Sequence, residues 1–301
     1  MMRIRRIYAD LLAMHFPFKV QKISVNAGFT CPNRDGSKGI GGCTYCNNQT
    51  FSPQYTGQQK SIKQQLEEGI NFFSRKYPEM KYIAYFQSYT NTYGDVKDLI
   101  GKYITALNHP EVVGLIVATR PDCISDELLD ELVKLNKNYF LLIEYGIEST
   151  NNNTLAYINR GHTYEDAIDA ITRTYQSGIL CGAHLILGLP GESKEMILSH
   201  ADRLSKLPLT TLKLHQLQLI QYTKMALQYE KEPERFRLFS ADEYIDLCIE
   251  FMERLSPEII IERFISQSPK DLLIAPDWGL KNHEFTAKLN KRIQERVRNL
   301  S

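Results

Sequence analysis

The chain has 301 residues, of which 43% are apolar and 24% charged, with six cysteines and a formal net charge of +1. No apolar run approaches the ~20 residues of a membrane span, and the amino terminus lacks the apolar core of a secretory signal, so we expect a cytoplasmic protein without membrane contact. Six cysteines in a chain of this length exclude a disulfide scaffold, and any cluster of thiols therefore favours metal binding or catalysis.

The small net charge hides a basic segment at each end of the chain. Residues 1–22 contain one acidic residue, Asp10, and the basic residues Arg3, Arg5, Arg6, Lys19 and Lys22. Residues 281–301 carry six basic residues against two acids. Such segments are typical of chains that contact a polyanion such as RNA, but also of solvated amphipathic helices, and charge alone does not decide between the two.

Short β-rich runs alternate with helical patterns along most of the chain. Several of the runs are almost continuously apolar, which is typical of strands buried on both faces of a parallel sheet. The six predicted strands are residues 19–26, 80–89, 112–120, 139–148, 178–190 and 210–222.

Helical spacing of apolar residues separates these strands. It is clearest over residues 96–107 and 164–175, and a capping box at residues 240–243 predicts the start of another helix. The alternation predicts right-handed βαβ units and an α/β fold.

Six such units favour a partial (β/α)6 TIM-like barrel over two separate domains. We expect residues 1–222 to form the barrel with its N-terminal segment, and residues 223–301 to form a C-terminal extension packed on it. In such folds the chemistry lies at the C-terminal ends of the strands.

Three cysteines, Cys31, Cys43 and Cys46, fall in a glycine-rich loop directly after the first predicted strand. Four thiolates would complete a zinc site or hold every iron of a cubane cluster, whereas three leave one metal position open. The residues leave two readings open: a zinc site completed by a ligand from elsewhere, and an iron–sulfur cluster with one open iron. The isolated cysteines, predicted to be small core residues, are Cys123, Cys181 and Cys248.

The C-x11-C-x2-C loop, with Tyr45 before its last cysteine, resembles the cluster loop of radical S-adenosylmethionine (SAM) enzymes. The usual spacing in that superfamily is C-x3-C-x2-C, and the wider first interval is similar to the branch that includes the Elongator catalytic subunit. The stretches that closely resemble YhcC/YtqA-type (MnmL-like) radical SAM proteins are "FQSYTNTYG" (86–94), "ATRPDCI" (118–124), "EYGIES" (144–149), "NRGHTYEDA" (159–167), "HLILGLPGE" (184–192), "KLHQL" (213–217) and "IAPDWGLKN" (274–282).

This resemblance implies two cofactors and a set of residues that hold them. Cys31, Cys43 and Cys46 would bind three irons of a [4Fe–4S] cluster, and the fourth iron would bind SAM. The implied SAM contacts are Tyr45 and the backbone of Leu187, Gly188 and Leu189 at the adenine, Gln87 and Ser88 at the methionine amine, Glu148 at the ribose hydroxyls, and Arg160 at the carboxylate.

Four further residues on or just after the predicted strands are candidates for substrate contact: Arg120, Glu144, His184 and His215. A lone histidine on a strand is more often structural, so for these residues a structural role stays open beside the functional one. No residue is assigned to the catalytic step itself.

The resemblance also implies the reaction. The enzyme would cleave SAM reductively, with electrons from a flavodoxin- or ferredoxin-type donor, and act on tRNA. The implied conversion is that of 5-carboxymethylaminomethyl-2-thiouridine at the wobble position to 5-aminomethyl-2-thiouridine. Two alternatives remain open: a radical SAM enzyme acting on a small molecule or peptide, and a non-catalytic, zinc-stabilised RNA-binding protein.

Overall fold

A computed structural model describes residues 7–51, 53, 55–57, 59–75 and 79–299. Arg3, Arg5 and Arg6 of the basic N-terminal segment lie outside the described residues. The helices and strands are α1 (Tyr8–His15), β1 (Val20–Val25), α2 (Ile62–Ser74), β2 (Lys81–Phe86), α3 (Val96–Leu107), β3 (Val112–Thr119), α4 (Asp126–Asn136), β4 (Phe140–Glu148), α5 (Asn152–Tyr157), α6 (Tyr164–Gln176), β5 (Leu180–Leu187), α7 (Lys194–Leu204), β6 (Thr211–Gln216), β7 (Leu219–Ile220), α8 (Lys224–Lys231), α9 (Ala241–Arg254), β8 (Ile260–Arg263), β9 (Leu273–Ala275) and α10 (Asn282–Arg298).

The main sheet has seven strands in the order β1-β2-β3-β4-β5-β6-β8, and all neighbouring strands are parallel. Consecutive strands lie side by side because a helix returns the chain between most of them. The sheet is curled into a half-barrel with helices on its outer face. The α/β fold class and the partial TIM-like barrel predicted from the sequence are confirmed.

The last predicted strand, residues 210–222, was wrong as a single element. β6 ends at Gln216, and Leu219–Ile220 form β7, which pairs antiparallel with β9 in a separate two-stranded sheet. At the end of β6 the Gln216 side chain donates to the Ser266 carbonyl at 3.0 Å and accepts from the Ser266 amide at 2.9 Å.

A seventh strand, β8, was missed by the sequence analysis, since its four residues lie in the segment assigned to the C-terminal extension. It pairs with β6 at the edge of the barrel sheet. The division between barrel and extension at residue 222 stays a prediction.

Successive side chains along each strand point to opposite faces of the sheet. On β4, Leu141 and Ile143 pack in the main core with the surrounding helices, whereas Phe140 and Leu142 face the barrel interior. Helix α1 closes the interior at the N-terminal ends of the strands, where Phe16 contacts Phe140 with ring centroids 5.5 Å apart. The cavity is therefore open at the C-terminal ends of the strands.

The helix starts follow the predicted capping chemistry. Ser240 accepts from the Glu243 amide at 3.2 Å, and the Glu243 carboxylate accepts from the Ser240 amide at 2.8 Å, which completes the predicted capping box at the start of α9. The three isolated cysteines, Cys123, Cys181 and Cys248, are all buried, as predicted.

Some basic residues from the two ends of the chain form ion pairs within the fold. Arg292 of α10 pairs with Asp246 and Asp242 of α9 at 2.8 and 3.0 Å, and Arg296 pairs with Asp246 at 2.8 Å. Lys22 lies inside the barrel rather than on a basic surface. None of the helices in the described ranges is both long and apolar enough to cross a membrane.

Candidate active site

One cavity at the C-terminal ends of the strands brings most of the predicted site residues together. Those that line it are Cys31, Cys43, Cys46, Tyr45, Gln87, Arg120, Glu144, Glu148, Arg160, His184 and His215. The other four predicted residues do not line it: Ser88, Leu187, Gly188 and Leu189 are buried beside it. Their neighbours Tyr89 and Ile186 contribute to the wall instead.

The cysteine loop reverses the chain so that its cysteines face the same space. The Cys31 carbonyl accepts from the amides of Arg34 and Asp35 at 2.7 and 3.1 Å, and the Gly42 amide donates to the Asn33 carbonyl at 2.8 Å. Gly42 has a φ of +70°, which favours glycine, and a Cβ there would meet the Arg34 side chain at 2.6 Å. The wide interval between the first two cysteines is therefore a compact turn.

Residues 158–160, after α5, hold this loop in place. Asn33 donates to the Asn159 carbonyl at 2.6 Å, Asn159 donates to the Gly42 carbonyl at 2.8 Å, and the Thr44 amide donates to the Ile158 carbonyl at 2.9 Å. The sequence analysis missed both asparagines, although Asn33 lies in the cysteine loop and Asn159 begins the quoted stretch "NRGHTYEDA". These hydrogen bonds tie the residues on both sides of Cys43 to the segment that follows α5.

Arg160 and Glu148 meet beside Cys43. The Arg160 guanidinium donates to the Gly146 carbonyl at 2.6 Å and to Cys43 Sγ at 3.5 Å, and it lies 3.6 Å from a Glu148 oxygen. Glu148 has a φ of +67° at a register shift between β4 and β5. Such a conformation is unfavourable for a non-glycine residue and is concentrated at functional sites. The positive φ directs the side chain of Glu148, the last residue of β4, toward the cavity.

The Cys46 thiol is poorly suited to carry negative charge on its own. Burial, followed by the neighbouring Cys43, raises the pKa of Cys46 to about 12. Within the described residues, no three histidine, cysteine or acidic side chains surround a point that a single metal ion could occupy, and the three thiols instead line the cavity wall. Iron would supply the positive charge that three thiolates need, so the donor set fits an iron–sulfur cluster.

Below the cysteines, a buried charged cluster spans the barrel from β1 to β8. Glu144 accepts from Lys213 at 2.6 Å and from His184 at 3.0 Å, and it lies 3.3 Å from Lys22. Glu262 pairs with Lys22 at 2.7 Å and with Lys213 at 3.4 Å. Sequence reasoning missed both lysines and Glu262, although Lys213 precedes His215 by two residues and therefore shares its face of the strand.

The candidate substrate residues have different environments in this cavity. Arg120 is occupied: it binds Asp122 through two contacts of 2.9 Å and donates to the carbonyls of Arg160 and Gly161 at 2.7 and 3.1 Å. His184 and His215 have ring centroids 5.4 Å apart, and burial lowers the pKa of each, so both are neutral near pH 7. Arg120 thus positions the loop after α5, whereas the histidines face open space.

Comparison with known proteins places this site in a family. The sequence model of the Radical SAM superfamily matches residues 28–204, and the Radical_SAM C-terminal domain matches residues 209–295. The chain belongs to the radical SAM superfamily. It is therefore an enzyme whose cofactors are a [4Fe–4S] cluster and SAM, which together supply hydrogen-atom abstraction from unactivated carbon after one-electron reduction.

The relationship to the YhcC/YtqA-type proteins, predicted from the sequence motifs, is confirmed. The uncharacterized protein YtqA of Bacillus subtilis is 35% identical over 95% of this chain and 88% of its own length. Protein YhcC of Escherichia coli K12 is 33% identical over 97% of this chain and 93% of its own length.

Two further similarities concern a short part of the sequence and the fold. A tRNA uridine(34) acetyltransferase of Methanocaldococcus infernus is 37% identical over 84 residues, which are 28% of this chain and 15% of that protein. The solved structure of Methanocaldococcus infernus Elp3, with its N-terminus deleted, has the same fold, with a TM-score of 0.69 and 18% identity over 93% of this chain. This chain spans 64% of that one.

We predict that Gly146→Ala lowers the affinity for SAM. A Cβ at Gly146 would lie 2.6 Å from Arg160 Nη2 and 2.7 Å from Glu148 Oε1, so both side chains must move. If these two side chains contact SAM, the loss of charged hydrogen bonds would weaken binding by about tenfold to a hundredfold. Equilibrium binding of SAM to the anaerobically reconstituted enzyme measures the effect.

The matched control is Gly101→Ala on the exposed face of α3, where a Cβ would meet nothing within 4 Å. This change should leave SAM binding intact and stabilise the helix by up to about 1 kcal/mol. Equal SAM affinity in the Gly146→Ala variant and the wild type would contradict the assignment of Arg160 and Glu148 to the cofactor.

Proposed function

We propose that this radical SAM enzyme modifies the wobble uridine of tRNA. The substrate would be 5-carboxymethylaminomethyl-2-thiouridine and the product 5-aminomethyl-2-thiouridine. The observation that carries the tRNA assignment is the partial sequence similarity to an enzyme named for uridine 34 of tRNA. An unpaired anticodon base is also accessible to a concave cavity, because such bases can be splayed out and inserted.

Within this proposal, the cavity residues divide between the two cofactors. Cys31, Cys43 and Cys46 would hold the cluster, and Arg160 and Glu148 beside Cys43 would bind the SAM carboxylate and ribose hydroxyls. Gln87 would face the methionine amine, and Tyr45 with the segment 187–189 would flank the adenine. The electron donor would be of the flavodoxin or ferredoxin type.

The proposed reaction is an oxidation in which SAM is the oxidant. The carbon between the substrate amine and carboxylate gives up one hydrogen atom, one electron and one proton, which leaves an imine. Hydrolysis of the imine breaks the carbon–nitrogen bond and releases glyoxylate from the aminomethyl product. SAM would supply the oxidising power: the hydrogen atom would end on its adenosyl group, giving methionine and 5′-deoxyadenosine, and the electron lost by the substrate would replace the one supplied by the donor.

The rim of the cavity has features suited to an RNA strand. Tyr222 is 86% exposed and has a φ of +63°, and it comes two residues after Ile220, which lines the cavity. Lys224 follows, with its ammonium group beside Gly41 of the cysteine loop. An exposed aromatic ring next to a cation is the usual means of stacking a base and contacting its phosphate.

We therefore predict that Tyr222→Ala weakens tRNA binding. Stacking on an aromatic side chain contributes about 1–3 kcal/mol per base, so affinity should fall by roughly tenfold or more. Filter binding of tRNA at fixed salt concentration measures this. Tyr175→Ala is the matched control, because Tyr175 is 59% exposed on α6 and does not line the cavity. An equal loss in both variants would argue against a specific stacking role.

The proposed function is tested by nucleoside mass spectrometry of tRNA. A strain that lacks the gene should accumulate 5-carboxymethylaminomethyl-2-thiouridine, and the reconstituted enzyme with SAM and reductant should convert it to the aminomethyl nucleoside. Conversion should release one glyoxylate and one 5′-deoxyadenosine per product. An unchanged nucleoside profile in the strain, together with no conversion in vitro, would rule out this substrate.

A further inference from the structure

The charged cluster at the floor of the cavity holds one more cation than anion. Its cations are Lys22, Lys213 and Arg263, and its carboxylates are Glu144 and Glu262. Both carboxylates are committed to lysines, since Lys213 lies 2.6 Å from Glu144 and Lys22 lies 2.7 Å from Glu262. Burial lowers the pKa of Lys213 to about 8, so this lysine is still mainly charged at neutral pH. One positive charge of the cluster is therefore uncompensated.

That charge lies on Arg263, the last residue of β8, which lines the cavity. Its Nη2 is 3.3 Å from Nε2 of His215, and its buried Nε has no hydrogen-bond acceptor anywhere in the described part of the chain. His215 cannot serve as a counterion, because burial and the adjacent arginine keep its ring neutral. A buried N–H without an acceptor is costly, and a cation beside an open cavity can recover that cost by binding an anion.

Two other arginines of the cavity are buried and held by several partners, and the third, Arg34, is exposed. Arg120 is held by Asp122 and by two carbonyls, and Arg160 by the Gly146 carbonyl and Cys43. Arg34 donates to the Cys46 carbonyl at 2.7 Å. Arg263 also lies on the edge strand at the opposite end of the sheet order from β1, which leads into the cysteine loop. Its guanidinium contacts His215 of β6 rather than a residue assigned to the cluster or to SAM, which leaves it available to a different ligand.

We propose that Arg263 binds a carboxylate of the substrate and so determines which substrate the enzyme accepts. This rests on the proposed function, in which the group removed carries a carboxylate. The Arg263 guanidinium keeps an Nε–H without an acceptor, and a guanidinium of this kind is the usual partner of a carboxylate. The product lacks the carboxylate, so the contact is lost when the reaction is complete, which favours product release.

The test compares two nucleosides that differ in the carboxymethyl group. Binding of 5-carboxymethylaminomethyl-2-thiouridine and 5-aminomethyl-2-thiouridine is measured by equilibrium dialysis with SAM-loaded holoenzyme, without reductant. The wild type should prefer the carboxylate nucleoside by about tenfold to a hundredfold, as expected for a charged hydrogen bond. Arg263→Gln should abolish this preference without changing SAM affinity, and Arg263→Lys should keep part of it.

Arg254→Gln is the control, because Arg254 pairs with Glu195 at 2.8 Å on the exterior and should not affect either ligand. A preference that survives in Arg263→Gln would overturn the inference, and so would a loss of SAM affinity in that variant, since Arg263 would then serve the cofactor. Thermal unfolding of each variant identifies any that fail to fold. If Arg263→Gln fails to fold, the nucleoside preference of Arg263→Lys is compared with that of the wild type instead.

Failure of the proposed function is distinguishable from failure of this inference. If the wild type neither converts tRNA nor binds either nucleoside, the tRNA proposal is wrong. The role of Arg263 is then tested with N-alkylglycines against the corresponding N-alkylmethylamines. A carboxylate preference that depends on Arg263 supports the inference, and the absence of any preference in the wild type overturns it.

Discussion

Replacing Cys43 with alanine is expected to abolish both the iron–sulfur centre and the cleavage of SAM. Cys43 is buried in the cavity wall, and its Sγ accepts from Arg160 at 3.5 Å, so its loss removes one thiolate and one neighbour of the arginine assigned to SAM. Even loss of an outer-sphere partner costs a metal site about tenfold to a hundredfold, and loss of a ligand should cost more. Anaerobic iron analysis and assay of 5′-deoxyadenosine release measure the two effects.

The matched control is Cys181→Ala, because Cys181 is fully buried in β5 and belongs to the main core rather than to the cavity. That substitution leaves a small void and should lower stability by roughly 1 kcal/mol, with iron content and SAM cleavage unchanged. A Cys43→Ala protein with four irons and normal 5′-deoxyadenosine release would contradict the assigned cluster ligands. Loss of iron in both variants would point to general instability instead.

The sequence was sufficient to predict the barrel because its strands are nearly continuous apolar runs. Residues 112–120 and 139–148 differ from β3 and β4 by at most one residue at an end. The errors came where the pattern is short or interrupted. β8 has only four residues, and the run over residues 210–222 is interrupted where the Gln216 side chain pairs with the Ser266 backbone. No local periodicity encodes that contact.

The site was predictable where a motif carries the chemistry and unpredictable where residues far apart in sequence meet. The cysteine spacing and the "NRGH" stretch pointed to Cys43 and Arg160. In contrast, no motif marks Lys22, Glu262 and Arg263. They lie near one another only because the curled sheet brings its two edge strands, β1 and β8, to the same interior. The sequence analysis counted Lys22 only as part of a basic N-terminal segment and assigned no role to Glu262 or Arg263, since burial is a property of the closed fold.

Substitution of Glu144 by glutamine is expected to be the most destabilising single change in the barrel interior. Glu144 is 1% exposed, and it contacts Lys213 at 2.6 Å, His184 at 3.0 Å and Lys22 at 3.3 Å. Glutamine keeps the shape but removes the charge, which leaves two buried lysines with Glu262 as their remaining carboxylate. Removal of one partner from a buried ion pair costs about 3–5 kcal/mol. Urea unfolding of the metal-free protein at pH 7 measures the free energy of unfolding.

The pH dependence separates the charge of Glu144 from its packing. Burial opposes its ionisation, but Lys213 and Lys22 hold the pKa of Glu144 well below its usual range. A carboxyl whose pKa is lower in the folded than in the unfolded state stabilises the fold above the unfolded pKa of about 4.3, and this contribution is lost as the pH falls further. The difference in the free energy of unfolding between the wild type and Glu144→Gln should therefore have its full value at pH 6–7 and become smaller below about pH 4.

The same chemical change at the surface provides the comparison. Glu195 pairs with Arg254 at 2.8 Å but is 72% exposed, so Glu195→Gln should change the free energy of unfolding little at any pH. If the Glu144→Gln deficit stayed constant down to pH 3, the loss would come from packing or a hydrogen bond rather than from charge. The charges of the buried cluster would then make no net electrostatic contribution to the stability of the fold. A deficit that disappears with acid identifies the charge of Glu144 as the source of its stabilising contacts with the buried Lys22 and Lys213.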